Sequence, residues 1–311
     1  MNFEQLRGFV EVAMIGNFTR AAERLHLAQP SLSRQIASLE LDLGTELFHR
    51  ARGGSTLTMA GESLLPLARR MLADAESVRR ELAELSGLRR GRVRLGATPT
   101  LSISLVAEAL NAFHAAYPAI DLHLSEQGSR RLLDELAGGE LDLALITTSH
   151  STSTERLTVT PLLVEELVLI SSSSEPPVTT GDTIGLADVA QLPQIVFSSS
   201  YDLRSATDAA FASAGVTPEV VVQGAEMDAV LRFVERGLGV AIVPAMVLID
   251  RPGLRSVRLA EPRATRTISI ARPADFQPST AVKLMQRTIA KTAIGLAAKS
   301  GATMWVADAG G

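Results

Sequence analysis

Apolar residues recur at helical spacing through the first part of the chain. Phe3, Leu6, Val10 and Ala13 form one stripe that ends near Gly16. Ala21, Ala22 and Leu25 supply a small second face, and Leu32, Ile36, Leu39 and Leu43 follow at steps of 4, 3 and 4. Steps of this kind place side chains on one side of a helix. Thr19 can cap the second helix through its hydroxyl. Pro30 suits the first turn of the third, where its missing N–H is not needed. Residues 19–38 thus predict two short helices joined by a tight turn.

The second of these helices carries a polar outer face. Ser31, Arg34 and Ser38 point away from the apolar stripe, Ser33 and Gln35 flank them, and Gln29 stands at the entrance. Arg can give two parallel hydrogen bonds to guanine, and Gln can do so to adenine. Ser hydroxyls and the free amides of a helix N-terminus suit phosphate oxygens. On an isolated helix the same pattern describes an ordinary solvated face.

Beyond it, Gly53-Gly54 can turn a short hairpin within residues 47–58, which places Arg50 and Arg52 on its tip. Thr58 can cap a long helix over residues 59–88. In it Leu64, Ala68, Met71, Ala75, Val78, Leu82 and Leu85 alternate in steps of 4 and 3, a heptad seam that pairs two helices. Pro66 removes one backbone bond near its start and predicts a kink. Residues 89–91 read as a hinge.

From residue 92 the period changes. Short aliphatic runs at 92–97, 120–125, 141–146, 167–171, 194–197, 219–223, 240–244 and 267–271 alternate with helical stretches such as 99–117, 205–214, 225–236 and 280–297. Strands alternating with helices argue for a parallel sheet covered on both faces. The pattern restarts once, which gives two α/β subdomains, I over 92–160 plus 267–298 and II over 161–266. The tail, 299–311, is read as mobile.

Ligands of open α/β sheets sit beyond the carboxyl ends of the strands. Those ends carry hydroxyls here: Thr98, Thr100 and Ser102, then Ser129, Thr147, and Ser198 to Ser200 with Ser199 between, and Ser205 soon after. Helix N-termini beside them favour an anion, and Arg204 could pair with a carboxylate. Helix capping alone would also explain many of these hydroxyls.

One resemblance gathers these features. Thr19-Arg20-Ala21-Ala22-Glu23-Arg24-Leu25, Ala28-Gln29-Pro30-Ser31-Leu32-Ser33-Arg34-Gln35-Ile36, Leu43-Gly44-Thr45-Glu46-Leu47-Phe48-His49-Arg50 and Leu57-Thr58-Met59-Ala60-Gly61 strongly resemble LysR-type transcriptional regulators, in register and without a gap. The resemblance runs to about residue 298. It implies an α+β multidomain chain: a winged helix-turn-helix over 1–58, a dimer-forming linker helix over 59–88, and an α/β effector domain over 92–298 like a periplasmic binding protein. It implies that Gln29 to Ser38 lie in the DNA major groove. It also implies an effector pocket at Thr100, Ser129, Thr147 and Ser200 to Ser205. Some relatives that sense aromatic-pathway acids hold Arg where Thr147 aligns, while the Ala97 to Leu101 loop resembles that of cyanate-responsive relatives.

Composition limits the alternatives. No apolar run approaches the ~20 residues that span a membrane, and the N-terminal stretch lacks a signal-peptide pattern, so a cytoplasmic protein is expected. The chain has no Cys, which excludes disulfides and thiolate chemistry. His26, His49, His114, His123 and His150 are scattered, so neither a metal nor a cofactor is expected. No Gly-x-Ser-x-Gly elbow or dinucleotide fingerprint occurs, which weakens an enzyme reading. A net charge of −4, and six arginines against six acids in residues 1–58, argue against purely electrostatic DNA binding. Lys occurs only at 283, 291 and 299, so any phosphate grip near the N-terminus comes from arginine, of which Arg34, Arg50 and Arg52 could share one face. The expected partners are double-stranded DNA with a two-fold operator, a small anionic effector, and a second copy of the chain, with a dimer of dimers as the assembly. The rivals are a solute-binding protein and a DNA-bound regulator without a ligand.

Overall fold

A computed structural model describes residues 1–51, 54–85, 91–148, 157–199, 201–260, 263–274, 277–300 and 303–307. The chain divides into two compact units, Met1–Arg90 with Asp134–Leu141, and Gly91–Leu133 with Asp142–Gly311.

The first unit begins with α1, Phe3–Ile15, where Asn2 and Gln5 form a reciprocal capping box and Gly16 closes the helix at φ 69°. A left-handed closing residue suits glycine. Next come α2, Phe18–Arg24, and α3, Gln29–Leu43. The cap of α2 is Asn17, whose side chain accepts from the Arg20 amide at 3.1 Å. Thr19 therefore lies inside the helix and is exposed, not at its cap. Both residue types cap helices, and Asn17 comes one step before the first helical residue.

Leu32, Ile36 and Leu39 of α3 are fully buried against Leu6, Phe9, Val12, Ala21 and Ala22. Leu43 is largely exposed, so the predicted stripe ends one turn early. Strands β1, Phe48–Ala51, and β2, Gly54–Leu57, form the expected antiparallel hairpin. Phe48 packs on Phe9 and Phe18, with ring centroids 5.4 and 5.5 Å apart. The Ser55 amide donates to the Gly16 carbonyl at 2.8 Å, fixing the hairpin to the end of α1.

Helix α4, Met59–Leu85, runs unbroken through Pro66. Thr58 caps it, accepting from the Gly61 amide at 3.1 Å. A Cβ on Gly61 would sit 2.3 Å from the Leu47 carbonyl oxygen, so only glycine allows α4 this close. The apolar seam of α4 serves two purposes. Ala68 is buried in the first unit's core and Leu64 packs against it, whereas Met71, Val78 and Leu82 remain exposed. The side chains of Arg50 and Leu85, the hinge residues 89 and 90, Arg52 and Ser200 lie outside the described residues.

The second unit opens with β3, Arg92–Ala97, then α5, Pro99–Leu101, which passes through a π turn at Ser102–Val106 into α6, Ala107–Ala116. The chain continues through β4, Asp121–Glu126, α7, Ser129–Ala137, β5, Leu143–Thr148, and the long β6, Leu157–Ser172. Then come β7, Thr183–Ile184, α8, Leu186–Val189, β8, Gln194–Phe197, α9, Asp202–Ser213, β9, Val220–Ala225, and α10, Met227–Glu235. The last elements are β10, Ala241–Pro244, β11, Leu254–Leu259, β12, Thr265–Pro273, α11, Thr280–Lys299, and β13, Met304–Val306.

These strands make two lobes, each with its own core. One core gathers Val93, Leu95, Phe113, Leu143, Met285 and Ile289. The other gathers Leu169, Ile170, Phe197, Phe211, Val230 and Leu231. The chain passes between them inside β6, from Leu163 in the first core to Leu167 in the second. It returns in β12, antiparallel to both β5 and β6. The sheet is therefore mixed rather than parallel: β12 runs against β5 and β6, and β10, β11 and β13 also run against β6. The tail, expected to be mobile, contributes β13, which pairs with β6 at Leu163 to Glu165.

Two carboxylates sit side by side at this passage. Glu165 is wholly buried, and its Oε1 lies 2.8 Å from Nη2 of Arg266 on β12. Its Oε2 accepts from the Met246 amide at 3.0 Å. Glu166, on the opposite strand face, accepts from Arg258 at 2.6 and 2.8 Å. The Arg258 hydrogen bond holds the Glu166 carboxyl below the usual carboxylate range, outweighing its burial.

Candidate functional site

Two sets of functional side chains follow from this architecture, one in each unit. In the first unit, burial of Leu32, Ile36 and Leu39 fixes the rotation of α3. The opposite side then presents Gln29, Pro30, Arg34 and Ser38, all exposed. Arg34 makes no ion pair among the described residues, so its guanidinium is available to a partner. Gln29 Nε2 donates to Ser33 Oγ at 2.9 Å, and Gln5 Nε2 donates to Ser38 Oγ at 3.1 Å. Ser31, Ser33 and Gln35 are half-buried at the flanks of this face. Ala28 precedes α3 without a side-chain cap; Pro30 has no N–H and the Ser31 amide donates to the Ala28 carbonyl at 2.9 Å, so the Gln29 amide is left for an outside acceptor such as phosphate. Arg50 lies in β1 opposite Ser55.

In the second unit, a cavity of about 240 Å3 opens at the carboxyl ends of β3, β4 and β5. Its lining includes Thr98, Pro99, Thr100, Gln127, Gly128 and Thr147, together with Tyr201, Leu203 and Arg266. Thr98 and Thr100 are buried, with their hydroxyl oxygens 3.4 Å apart. Ser129 stands behind Thr147, its Oγ 3.2 Å from the Thr147 hydroxyl and accepting from the Thr147 amide at 3.2 Å. Of the predicted ligand residues, the fold brings Thr98, Thr100 and Thr147 into the cavity, with Ser129 as their support.

Ser102, Ser199, Arg204 and Ser205 lie outside that lining. Ser102 donates to the Thr98 carbonyl at 3.3 Å. Ser199 and Ser205 are exposed. Arg204 is engaged by Asp208 at 2.7 and 2.8 Å and by the Phe197 carbonyl at 3.2 Å. The guanidinium at the cavity is instead Arg266. Its position is set by the return of β12, which adjacent sequence does not reveal.

The cavity also holds carboxylates that the hydroxyl pattern did not signal: Glu126, Asp202 and Glu226. Tyr201 donates its phenol proton to Glu226 Oε2. Burial, and next that hydrogen bond, raise the Tyr201 pKa well above its ordinary value, so the phenol stays protonated. Its ring stacks on Phe197 at 5.4 Å. The cavity can therefore donate hydrogen bonds from threonines and Arg266, and accept them at three carboxylates. Among the described residues no group of three or more His, Asp or Glu is placed to hold a metal ion. Among them, too, no helix is long and apolar enough to cross a membrane.

Comparisons with known proteins match both units. Residues 3–62 match the family described as bacterial regulatory helix-turn-helix protein, lysR family, and residues 86–293 match the LysR substrate binding domain. A probable nitrogen assimilation transcriptional activator from Synechococcus elongatus is 32% identical over 276 residues, covering 88% of this chain and 89% of that protein. Among solved structures, a full-length OxyR variant from Pseudomonas aeruginosa is similar with a TM-score of 0.69 at 25% identity, covering 94% of this chain and 95% of that one. Full-length CbnR in complex with its target DNA is similar with a TM-score of 0.64 at 25% identity, covering 94% of this chain and 100% of that one.

Proposed function

Because this chain belongs to the LysR family of transcriptional regulators, we propose that it reads a two-fold DNA operator as a homodimer and that a small molecule in the second unit's cleft controls that reading. It acts on DNA rather than as an enzyme, in the cytoplasm. Helix α3 lies in the major groove, with Gln29, Ser31, Ser33, Arg34, Gln35 and Ser38 at base edges or phosphates. Arg50 and Arg52 are assigned to the flanking backbone, as the family resemblance implies. The exposed stripe of α4, Met71, Val78 and Leu82, pairs with the same stripe of a second chain. Two such dimers make the full assembly, and a second copy supplies the second reading helix that a two-fold site requires.

The observation that supports this reading is the exposed guanidinium of Arg34, unpaired among the described residues, on a helix whose rotation is fixed by three buried side chains. CbnR, which has a solved complex with its target DNA, supports the placement of this unit on a duplex. Replacing Arg34 with alanine is expected to weaken operator binding by about 1–3 kcal/mol and to relax the preference at one base pair, if its guanidinium grips a guanine. Binding titrations against an operator and its single-base variants check this. An unchanged base preference removes Arg34 from the reading role.

The small molecule controls DNA reading by binding the two arrangements of the dimer unequally, since equal affinity shifts nothing. Thr98, Thr100 and Thr147 hold its acceptor group, with Ser129 positioning Thr147 from behind.

A further inference from the structure

We infer that the molecule bound in the second unit's cleft carries a positively charged nitrogen beside its acidic group: it is a small amino-acid-like zwitterion rather than a bare anion. This rests on the reading of that cleft as the effector site. Two independent features of the lining lead to it.

The first is charge. Glu126, Asp202 and Glu226 line the cavity, and among the described residues none of the three makes an ion pair. Asp202 receives only the Thr147 hydroxyl, at 3.3 Å, and Glu226 receives the neutral phenol of Tyr201. Glu126 and Glu226 line the cavity together with Tyr201. The basic residue of the lining is Arg266, and Glu165, outside the lining, already neutralises it at 2.8 Å. The cavity is thus net negative. All three carboxylates are exposed, so a bare anion entering the cavity would meet their repulsion as solvent screens it. An ammonium group turns the same three carboxylates into charge-assisted acceptors.

The second feature is an orphaned donor. Thr98 is 5% exposed and Thr100 is 3% exposed. Their hydroxyls have each other as partner, and one contact between two hydroxyls uses one proton. Among the described residues, one of these two O–H groups at the cavity wall is therefore left without an acceptor. Arg266 is already engaged, donating from Nε to Glu165 Oε1 at 2.9 Å with Nη2 2.8 Å from the same oxygen. A buried hydroxyl donor calls for a partner, and a carboxylate supplies the missing acceptor. The donor thus asks for an anionic group and the carboxylates for a cationic one, on one small ligand. At about 240 Å3 the space is below the ~300–1,000 Å3 typical of drug-sized ligands, so the molecule is a small metabolite.

The test uses the full-length protein and three probe sets: the free L-amino acids, the 2-oxo acids that correspond to them, and cyanate as a bare anion. Thermal shift finds binders, and calorimetry measures affinity. The expected result is that an amino acid binds and that its 2-oxo acid and cyanate bind at least about tenfold more weakly, the loss of one charge-assisted contact. Glu226→Gln and Asp202→Asn should each weaken the amino acid by about tenfold or more while leaving the 2-oxo acid unchanged or tighter. Thr100→Val should weaken both. If the 2-oxo acid or cyanate binds as tightly as any amino acid, or no amino acid binds at all, the zwitterion is wrong. In the first case, a Thr100→Val loss shows that the cleft reading survives. If binding occurs and none of the three substitutions alters it, the cleft itself is not the site and both readings fall.

Discussion

Replacing Arg266 with methionine is expected to destabilise the second unit by about 3–5 kcal/mol, the penalty for leaving one partner of a buried ion pair uncompensated. Glu165 is 0% exposed, and the Arg266 side chain is 13% exposed. Without the guanidinium, the carboxylate keeps only the Met246 amide. The effect should be local to the passage between lobes, because β6 and β12 meet there in register, Arg266 against Glu165. The chain has a single Trp, Trp305, on β13 opposite Val164 of β6. Its fluorescence during denaturant unfolding therefore reports this region. The double variant Glu165→Leu with Arg266→Met should recover much of the loss, since removing both charges removes the buried unpaired carboxylate. It will not recover all of it, because the Met246 N–H loses its acceptor, worth about 1–3 kcal/mol. An Arg266→Met variant as stable as the parent would mean that water reaches Glu165.

The second large effect is expected at Leu82. In the single chain it is 61% exposed, and Val78 beside it is 55% exposed. Two apolar side chains one turn apart on a long helix, left uncovered, fit burial against a second copy. Burying one such leucine contributes about 1.5–3 kcal/mol, and a two-fold dimer buries it twice. Leu82→Asp should then weaken dimerisation by about 3–6 kcal/mol, on the order of 10² to 10⁴ in dissociation constant. Sedimentation at micromolar concentration should show monomers, and operator affinity should fall with them. Folding of the first unit should persist, because Ala68 and Leu64, not Leu82, join its core. An intact dimer in sedimentation would remove this stripe from the interface.

Both effects bear on what the amino-acid order alone conveyed. Helices α1 and α3 were legible because one apolar stripe each faces one core, and steps of 3 and 4 describe that directly. The Thr58 cap was legible because Thr58 acts on near neighbours; the hairpin was placed correctly, although Gly54, expected in its turn, opens β2 opposite Ala51. The α4 seam was only half legible. Packing on the chain's own module and pairing with a second chain demand the same spacing, so Leu64 and Ala68 could not be told from Met71, Val78 and Leu82. Strand β6 was read only at its apolar end, because Pro161, Glu165 and Glu166 interrupt the run.

The cleft followed the same rule. Thr98, Thr100 and Thr147 could be found because strand ends announce them. Arg266 could not, since its partner lies 101 residues away. Arg204 looked more suitable in sequence, yet Asp208, one helical turn on, engages it. Nor did the hydroxyl pattern hint at Glu126, Asp202 and Glu226, which come from the end of β4, the start of α9 and the residue before α10.

The central claim is that α3 reads base sequence. The most direct measurement compares full-length protein binding to the DNA upstream of its own gene with binding to random duplex of equal length, at 0.15 M salt. A preference of at least about 10³-fold is predicted, typical of specific over non-specific DNA binding. Protection should cover two half-sites about 34 Å apart or a multiple of it, and Arg34→Ala should erode the preference. Equal affinity for every genomic fragment and for random duplex, with or without amino acids, would contradict it.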